Sequence, residues 1–486
     1  MRVPRKKPTR TIAPIIAARL NGRFSLQMQA DGSIAAVSGE YSVSLGQFSA
    51  AAIDRAGHLA TGLPLAPLAG KSVLAQQVHA LVRRLAQHGL LDYRLFSPRD
   101  AQDLVVIEPQ VAEYWPRRAK LSSGDTIVLS RFAYLHRRGN EMVLESPRAD
   151  ALFRICDPAI AATLAALPQP QKISKLRKQG TSLNLDLLGL LLDSEMLIKL
   201  GTRDGDGLEA NESDRNLALW DFHDLVFHTR STEGRHTNPV GGTYAHAGTV
   251  PPLPAVRPPW PGKKISLGKF TTPEQPASPF AKLLRARHST RDFDDQHPIT
   301  LAELAQFLDT SARVLSEWKS GADVDGGPEV TYSSRPYPAA GSAYELELYL
   351  TVSNCEGLAR GLYHYDAGSH ALVAIDASAQ QLQALSMAAE FAMDASGPPQ
   401  ILITIAARFG RISWKYSSIA YSLVLKDVGC LIQTFYLAAT DMGLGGCAIG
   451  TGNIDFFAKM TGLEVHVEGP VGQFALGRGR KVGGSG

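Results

Sequence analysis

The chain has 486 residues, of which 44% are hydrophobic and 20% charged, and these values predict a globular protein of two or three domains. The formal net charge of +4 is small, and the sequence has neither a long basic run, as nucleic-acid binding would favour, nor an apolar run of membrane-spanning length. Its four cysteines have no CxxC spacing, which predicts reduced thiols in a cytoplasmic protein, not a disulfide framework or a zinc site.

The first elements along the chain are short. Residues 24–27 and 41–45 are strand-like runs, and residues 72–88 carry apolar side chains at helical spacing. Residues 127–135 and 141–145 then predict a hairpin, with Arg138-Gly139-Asn140 near its turn. This pattern predicts an N-terminal half built from small α+β units.

Helical segments are predicted around residues 149–155, 158–167 and 183–194. Paired strands with short helices predict a winged-helix-like unit that occurs twice, over residues 1–115 and 116–205. No basic recognition helix is evident, so peptide binding or a purely structural role is as consistent with this half as DNA binding.

A linker is predicted over residues 206–275. It contains the aromatic segment WDFHDLVFH at residues 220–228 and a proline- and glycine-rich stretch at residues 239–262, where helices and central strands are disfavoured. The remaining domain is predicted to cover residues 276–482.

The pattern becomes regular within that domain. Apolar and polar residues alternate over residues 346–352, which predicts a half-buried strand, and residues 361–366 and 371–375 predict a hairpin. Residues 401–406 predict a buried strand. The longest helix is predicted over residues 416–442, with an apolar stripe along one face.

The first chemical motif of this domain is RHSTR. Arg287, Ser289 and Arg291 stand at alternate positions, so an extended segment presents two guanidinium groups and a hydroxyl on one side, a suitable arrangement for a phosphate. Taken alone, the same motif fits a solvent-exposed basic turn equally well.

Two further motifs are rich in small residues. Prolines and small residues from Arg335 to Ser342 precede the strand at 346–352 and allow a backbone to approach a flat ligand closely. A glycine-dense segment, residues 443–452, follows the long helix. A dinucleotide-binding fold requires the order strand, glycine loop, helix. Because the glycine segment of this chain follows a helix, that fold is excluded. A final motif, GRGR, brings Arg478 and Arg480 after a strand-like run at 471–475.

In this order, RHSTR, PYPAAGS, the long helix with its glycine-rich end and GRGR resemble the FMN-binding nitroreductase-like fold over roughly residues 278–480. The resemblance implies a central sheet flanked by helices, so that the whole chain is expected to be α+β. It also implies an FMN site at a homodimer interface, for which we expect the long helix, with Phe435 and Tyr436, to supply apolar surface.

The resemblance further implies the cofactor contacts. The phosphate and ribitol would be held by the RHSTR segment, joined by one of the two late arginines, and the isoalloxazine ring would be lined by the PYPAAGS loop and by backbone of the glycine segment. Because alanines stand where nitroreductases commonly have serines, contacts in the loop would be made by the backbone. The implied residues are Arg287, His288, Ser289, Arg291, Pro338, Ala339, Ala340, Gly341, Ser342, Ile449, Gly450, Thr451, Arg478 and Arg480.

Lys415 and Tyr416, at the predicted start of the long helix, resemble the Lys-Tyr pair of SagB/McbC-type dehydrogenases, which oxidise azolines to azoles in ribosomal peptide natural products. This resemblance implies that both residues are catalytic, that the substrate is an azoline-bearing precursor peptide and that a YcaO-type cyclodehydratase is a partner. Molecular oxygen is the expected oxidant of the reduced flavin. The motifs leave open whether thiazoles or oxazoles are formed.

Two other functions remain open. The same flavin site could serve an NAD(P)H-dependent nitro- or quinone-type reductase, or the flavin domain could be a non-catalytic part of a peptide-binding scaffold. A metal centre is not expected, because the spacing of His223, His228, His236 and His246 fits no common metal signature.

Overall fold

The computed structural model of the chain describes residues 13–39, 41–99, 101–178, 184–200, 215–271, 277–322 and 326–480. Two compact units are present. The first runs to Arg230 and includes Gly234–Thr237, and the second comprises Ser231–Glu233 and the chain from Asn238 onward.

The first unit is built on a seven-stranded antiparallel sheet in the order β5-β1-β6-β7-β11-β10-β9. Two three-stranded sheets, β2-β3-β4 and β12-β8-β13, accompany it. The strands are β1 Ile15–Leu20, β2 Ser25–Met28, β3 Ser33–Ser38, β4 Tyr41–Gln47, β5 Leu63–Pro64, β6 Leu91–Phe96, β7 Asp103–Pro109, β8 Thr126–Leu129, β9 Tyr134–Arg138, β10 Glu141–Glu145, β11 Ala151–Ile155, β12 Gln171–Lys172 and β13 Leu197–Lys199.

The helices of this unit pack around one apolar core that also includes the sheet residues. They are α1 Ala50–Ala56, α2 Val73–Gln87, α3 Pro158–Leu164, α4 Ile173–Lys178, α5 Leu185–Asp193, α6 Arg215–Ala218 and α7 Phe222–Ser231, with 3₁₀ turns at Gly57–Ala60 and Ala66–Ala69. Helix α2 confirms the periodicity of residues 72–88, and it starts where the Ser72 side chain accepts a hydrogen bond from the backbone N–H of Ala75.

Three expectations for this half differ from the structure. The hairpin predicted over residues 127–135 and 141–145 is formed by β9 and β10, whereas β8 pairs with β12 and β13 in another sheet. The helical prediction for residues 149–155 is wrong, because β11 forms there and pairs with β7 on one side and β10 on the other. A segment this short does not distinguish helix from strand by periodicity, and pairing with the two neighbouring strands makes it a strand. The same pairing joins strands from both sides of residue 115 in one sheet, so the structure does not separate the units predicted over 1–115 and 116–205. The winged-helix-like assignment stays a prediction.

The second unit contains a six-stranded antiparallel sheet in the order β18-β17-β16-β19-β21-β20 and a separate hairpin, β14-β15. The strands are β14 Ser316–Gly321, β15 Glu329–Ser334, β16 Leu346–Val352, β17 Gly361–Asp366, β18 Ala371–Ile375, β19 Ile401–Arg408, β20 Gly445–Ile449 and β21 Glu468–Gly477. The helices are α8 Pro279–Ala286, α9 Leu301–Ala312, α10 Ala379–Met393, α11 Phe409–Ser413, α12 Ala420–Asp441 and α13 Ile454–Thr461, with 3₁₀ turns at Gly268–Phe270 and Ala340–Ser342.

This sheet with its flanking helices confirms the α+β prediction for the C-terminal domain, and β16 to β19 lie where the sequence predicts strands. Strand β16 is buried along nearly its whole length, whereas the alternation predicts a half-buried strand. Residues 239–262 form neither helix nor strand, as their composition predicts. The glycine-dense segment is not wholly a loop, since β20 runs through it and pairs with β21 at the edge of the sheet.

Helix α12 begins at Ala420, four residues later than predicted, because the chain turns at Ser418, whose φ is 63°. By length and composition alone, α12 is apolar enough to cross a membrane, which the sequence analysis did not expect. However, one face of the helix is buried, and it packs against α9, β20 and β21. It is therefore the core helix of this unit, and it carries two of the residues that organise the candidate site.

Candidate active site

Helix α12 connects two clusters of polar residues. Asp427 lies near its beginning and Tyr436 lies nine residues later, which corresponds to about 13–14 Å along the helix axis. Both side chains are buried, at 5% and 9% exposure. The first cluster lies around Tyr436 and the second around Asp427, and each contains a segment that the sequence analysis assigns to the cofactor.

The first cluster, here named the anchor cluster, consists of Arg287, Ser289, Tyr436 and Ala448. The Ser289 hydroxyl lies 2.8 Å from the Tyr436 hydroxyl, which also accepts the backbone N–H of Ala448 at 2.8 Å. The Arg287 guanidinium lies 5.0 Å from the centroid of the Tyr436 ring. The structure thus brings the RHSTR segment and the glycine segment together through a tyrosine that the sequence analysis did not assign to the site.

The glycines beside the anchor cluster are explained by packing. A Cβ at Gly445 would lie 2.6 Å from Thr290 Cγ2, and a Cβ at Gly446 would overlap the ring of Phe474. The Thr290 N–H donates to the Gly446 carbonyl at 2.8 Å. Thr290 therefore packs against the sheet while its neighbour Ser289 meets Tyr436, as expected for alternate positions of an extended segment.

The remaining RHSTR residues are not equally placed. His288 is exposed, and its Nδ1 lies 3.0 Å from the Ala286 carbonyl, so the structure does not bring it into the anchor cluster. Arg291 is also exposed. Within the described ranges, neither Arg287 nor Arg291 forms an ion pair, and both guanidinium groups are available to an anion.

The two late arginines lie close to the same segment, but they differ in their partners. Arg478 donates to both oxygens of Glu303, at 2.7 and 2.8 Å, and its backbone N–H donates to Gln400. Arg480 donates through its backbone to the Asp292 carbonyl at 3.0 Å. Because Arg478 is already paired with a carboxylate, the geometry favours Arg480 as the residue that completes the predicted phosphate contacts.

The second cluster contains the predicted catalytic pair. Lys415 and Tyr416 lie in the connection between α11 and α12. A Cβ at Gly341, whose φ is 55°, would overlap the Tyr416 hydroxyl and lie 3.0 Å from Lys415 Nζ. Lys415 Nζ lies 5.5 Å from the ring centroid of Tyr332. The structure therefore places the pair directly against the PYPAAGS loop.

That loop is held in a strained conformation. Ser342 and Tyr344 have φ values of 55° and 46°. Residues other than glycine rarely adopt such values, which cost about 1–3 kcal/mol each. Asp427 Oδ2 accepts the Ala340 N–H at 2.8 Å, and Arg411 Nε donates to the Ala343 carbonyl at 2.8 Å. The Ala340 amide is therefore used within the protein and does not point to a ligand, contrary to the expectation for this loop.

The glycine-segment residues Ile449 to Thr451 also have partners within the unit. Ile449 is buried in the core at 4% exposure, and the Thr451 hydroxyl donates to Glu233 Oε1 at 2.6 Å. Gly450 is exposed, and a Cβ there would meet no atom within 4 Å. Of the three, Gly450 has the open backbone that a ligand contact requires, and the assigned roles stay predictions.

A pair of buried carboxyl groups, missed by the sequence analysis, lies behind the loop. Glu345 is fully buried beside Asp427. Burial raises the pKa of Glu345 to about 7 and also raises the pKa of Asp427. Two adjacent buried carboxylates disfavour double ionisation. The pair therefore keeps a proton near neutral pH and stabilises the loop through Asp427.

We expect Glu345→Gln to remove part of the pH dependence of stability. The raised pKa, about 7 against 4.5, means that the folded state keeps a proton that the unfolded state loses. This contribution is complete below pH 4.5 and is lost as the pH rises through about 7. Melting followed by circular dichroism from pH 5 to 8 should show a smaller decrease in Tm for the variant than for the wild type.

Glu347→Gln provides a control of opposite sign. Burial acts to raise the pKa of Glu347, but the hydrogen bond from His364 and the charge of Arg335 outweigh it, so that this pKa is lowered. A lowered pKa contributes stability that is lost as the pH falls. If Glu345→Gln melts with the same pH dependence as the wild type, the carboxyl pair does not hold the proton.

Comparison with known proteins identifies the family. Residues 284–478 match the model of the nitroreductase family, and residues 127–237 match the model of the cyanobactin oxidase ThcOx. A protein of Methanocaldococcus jannaschii that is named as a nitroreductase is 30% identical over 168 residues, covering 35% of this chain and 76% of that protein. The chain therefore belongs to the nitroreductase family and is an oxidoreductase. Together the two matches confirm the recognition made from the motifs.

Two solved structures are also similar. The Escherichia coli microcin synthetase McbBCD complex with truncated pro-MccB17 bound is 19% identical, with a TM-score of 0.38, over 55% of this chain and 97% of that chain. A nitroreductase of Bacteroides fragilis with bound FMN is 12% identical, with a TM-score of 0.25, over 43% of this chain and 93% of that chain.

The residues of the two clusters fit the cofactor that the family resemblance implies. The anchor cluster offers the Arg287 guanidinium and the Ser289 hydroxyl, and Arg291 follows two residues later; neither arginine has an ion-pair partner in the described chain, which suits a phosphate. At the other cluster, Gly341 has no side chain, so Lys415 and Tyr416 have room to lie close to the loop backbone. A group of three or more His, Cys, Asp or Glu side chains that could hold a metal ion does not occur among the described residues.

Proposed function

We propose that this chain is an FMN-dependent dehydrogenase that oxidises azoline rings in a ribosomally made precursor peptide to azoles. The observation that carries the proposal is the contact of Lys415 and Tyr416 with Gly341, in the loop assigned to the flavin ring. The match of residues 127–237 to a cyanobactin oxidase supports a peptide as the substrate.

The chemistry needs a base and a hydride acceptor. Aromatising an azoline removes a proton and a hydride from the ring, and bound FMN supplies the hydride acceptor. The Tyr416 hydroxyl and the Lys415 amine lie on the same side of Gly341. One of these groups accepts the ring proton, and the other orients the accepting group. These are the usual roles of positioned acid-base residues.

The proposal extends to partners and location. A YcaO-type cyclodehydratase would make the azoline, and the first unit would bind the leader peptide or the partner proteins. The four free cysteines support a cytoplasmic location, where thiols stay reduced.

A synthetic thiazoline-bearing peptide tests this function directly. The FMN-loaded chain should convert it to the thiazole, seen by mass spectrometry as the loss of two hydrogen atoms per ring. The same peptide with an uncyclised cysteine is the control and should be unchanged. Failure to form the azole with a fully FMN-loaded chain would remove the proposal.

An NAD(P)H-dependent reductase remains the second candidate, because the nitroreductase match and the M. jannaschii relative favour it. This function predicts rapid anaerobic bleaching of the flavin by NAD(P)H and turnover of a nitroaromatic compound or a quinone. A non-catalytic scaffold predicts neither reaction.

We further propose that the second unit forms a homodimer. Phe435 and Tyr436 do not supply the apolar surface that the sequence predicts for them, because both side chains are buried within their own unit, at 0% and 9% exposure. Support comes instead from α8, an amphipathic helix in which no residue is buried, with Phe280 60% and Leu284 43% exposed. Apolar side chains exposed together on one helix are typical of an interface.

Charge on this helix should break the dimer. Phe280→Asp with Leu284→Asp should convert a dimer to a monomer in size-exclusion chromatography with light scattering, because both carboxylates would be desolvated at the interface. Lys282→Asp, on the same helix, should leave the dimer intact. A wild-type chain that is monomeric at micromolar concentration with FMN bound would contradict the dimer.

A further inference from the structure

We infer that Tyr436 is a positioning residue that orients the Ser289 hydroxyl and the Arg287 guanidinium toward the cofactor phosphate. The inference rests on the proposed function only in taking FMN as the cofactor. It concerns a helix residue to which neither the motifs nor the family matches assign a role at the cofactor.

The direction of the hydrogen bonds carries the first step. The Ala448 N–H can only donate, so the Tyr436 oxygen accepts it. Tyr436 then has one proton to place, and the Ser289 oxygen lies 2.8 Å away. If Ser289 donated instead, the phenolic proton of a side chain only 9% exposed would have only the thiol of Cys447, a weak acceptor, as its partner, which is costly.

The bonds therefore run from Ala448 through Tyr436 to Ser289. In this arrangement the Ser289 oxygen is an acceptor toward Tyr436, and its own proton faces only the Cys447 thiol, a weak acceptor, so that it can donate to a stronger one. A phosphate oxygen is an acceptor and completes the chain, whereas a neutral hydrocarbon group would leave the proton unpaired. The direction of the network thus selects for an acceptor, preferably an anion, beside Ser289.

The ring of Tyr436 carries the second step. Its centroid lies 5.0 Å from the Arg287 guanidinium, within the range of a cation–π contact, and 5.1 Å from the ring of Phe474, which meets it edge to face. The ring is thus fixed by the core on one side and holds a cation without neutralising it. A carboxylate in the same position would compete with the phosphate for the arginine.

One side chain therefore sets both phosphate contacts, the hydroxyl through its oxygen and the guanidinium through its ring. Tyr436→Phe separates the two contacts, because it keeps the ring that faces the guanidinium and removes the hydrogen bonds of the phenolic oxygen. The loss should appear only with a ligand that has a phosphate. Riboflavin, which has the same ring system and ribityl chain as FMN but no phosphate, is the matched probe.

The experiment is a fluorescence titration of the full chain, stripped of flavin, with FMN and with riboflavin. We expect the wild type to prefer FMN, and Tyr436→Phe to weaken FMN binding about tenfold, as the loss of about one hydrogen bond implies, while riboflavin binding is unchanged. Ser289→Ala should have the same effect. The double variant should bind FMN no more weakly than either single variant, because both substitutions break the same hydrogen-bond network. Tyr421→Phe, a buried tyrosine of the same helix, should change neither affinity.

A purely structural role predicts another pattern. Tyr436→Phe would then weaken FMN and riboflavin equally, and the effects of Tyr436→Phe and Ser289→Ala would add. Any of these results, or a wild type that binds both flavins equally, overturns the inference. None of them depends on azole formation, so a chain that binds FMN selectively but oxidises no azoline rejects the proposed reaction and leaves this role standing.

Discussion

Replacing Lys415 by alanine or Tyr416 by phenylalanine is expected to slow azoline oxidation by about 10²–10⁴-fold, the usual contribution of an acid-base group, while FMN stays bound. The reason is geometric: both groups touch the position of Gly341 but neither belongs to the anchor cluster. Their loss should therefore lower the rate of the chemical step much more than the affinity for flavin or peptide.

Single-turnover bleaching of the flavin by a thiazoline-bearing peptide, under anaerobic conditions, measures this step directly. Trp414→Phe is a suitable control, since Trp414 adjoins the pair but is 49% exposed. If both variants bleach at the wild-type rate, the pair is not catalytic. If they lose flavin or melt earlier and activity follows the FMN-loaded fraction, the role of the pair is structural.

Gly341→Ala tests the same contact from the other side. The new methyl group would overlap the Tyr416 hydroxyl, and φ at this position, 55°, disfavours alanine. The variant should displace the pair and reproduce the slow bleaching of Tyr416→Phe. Bleaching of Gly341→Ala at the wild-type rate would show that the hydroxyl need not remain in place.

The double variant Arg287→Ala/Arg291→Ala is expected to be purified without FMN. Each guanidinium would form a charge-assisted hydrogen bond to the phosphate, worth about 1.5–3 kcal/mol, so the loss of both weakens binding by at least about 100-fold. Neither arginine forms an ion pair within the described part of the chain, so their removal leaves no unpaired carboxylate behind, and the fold should be preserved.

The ratio of flavin to protein absorbance in the purified chain checks this result. Arg285→Ala is the matched control, since Arg285 is an exposed arginine in the last turn of α8, two residues before the motif. Full flavin occupancy in the double variant would contradict the phosphate assignment of the RHSTR segment, whatever the reaction catalysed.

Strands β16 to β19 of the second unit were predictable because their sequences have clear apolar patterns. Leu346–Val352 alternates apolar and polar residues, and the β17–β18 hairpin lies where its two apolar runs predict it. Sequence patterns could not distinguish β11 from a helix, because a short apolar run between two strands satisfies both periods. That segment becomes a strand because it pairs with its neighbouring strands, and the sequence of the segment alone does not reveal this pairing.

The site was predictable where motifs are contiguous and not where contacts are long-range. Lys415, Tyr416 and the RHSTR segment are visible as short patterns. Tyr436 and Asp427 are polar positions within an apolar helical face, and such positions read as ordinary core residues until the partner segments are known. An Asp on the buried face of α12 was the available signal, because buried carboxylates are rare without partners.

The anchor cluster also determines when this domain can be completed during synthesis. Ser289 and Tyr436 are 147 residues apart, and Arg480 reaches the Phe293 carbonyl across 187 residues. Contacts of such sequence separation form late, since a long loop must close before they stabilise anything. A chain emerging from the ribosome therefore exposes its RHSTR segment until most of the domain has been made.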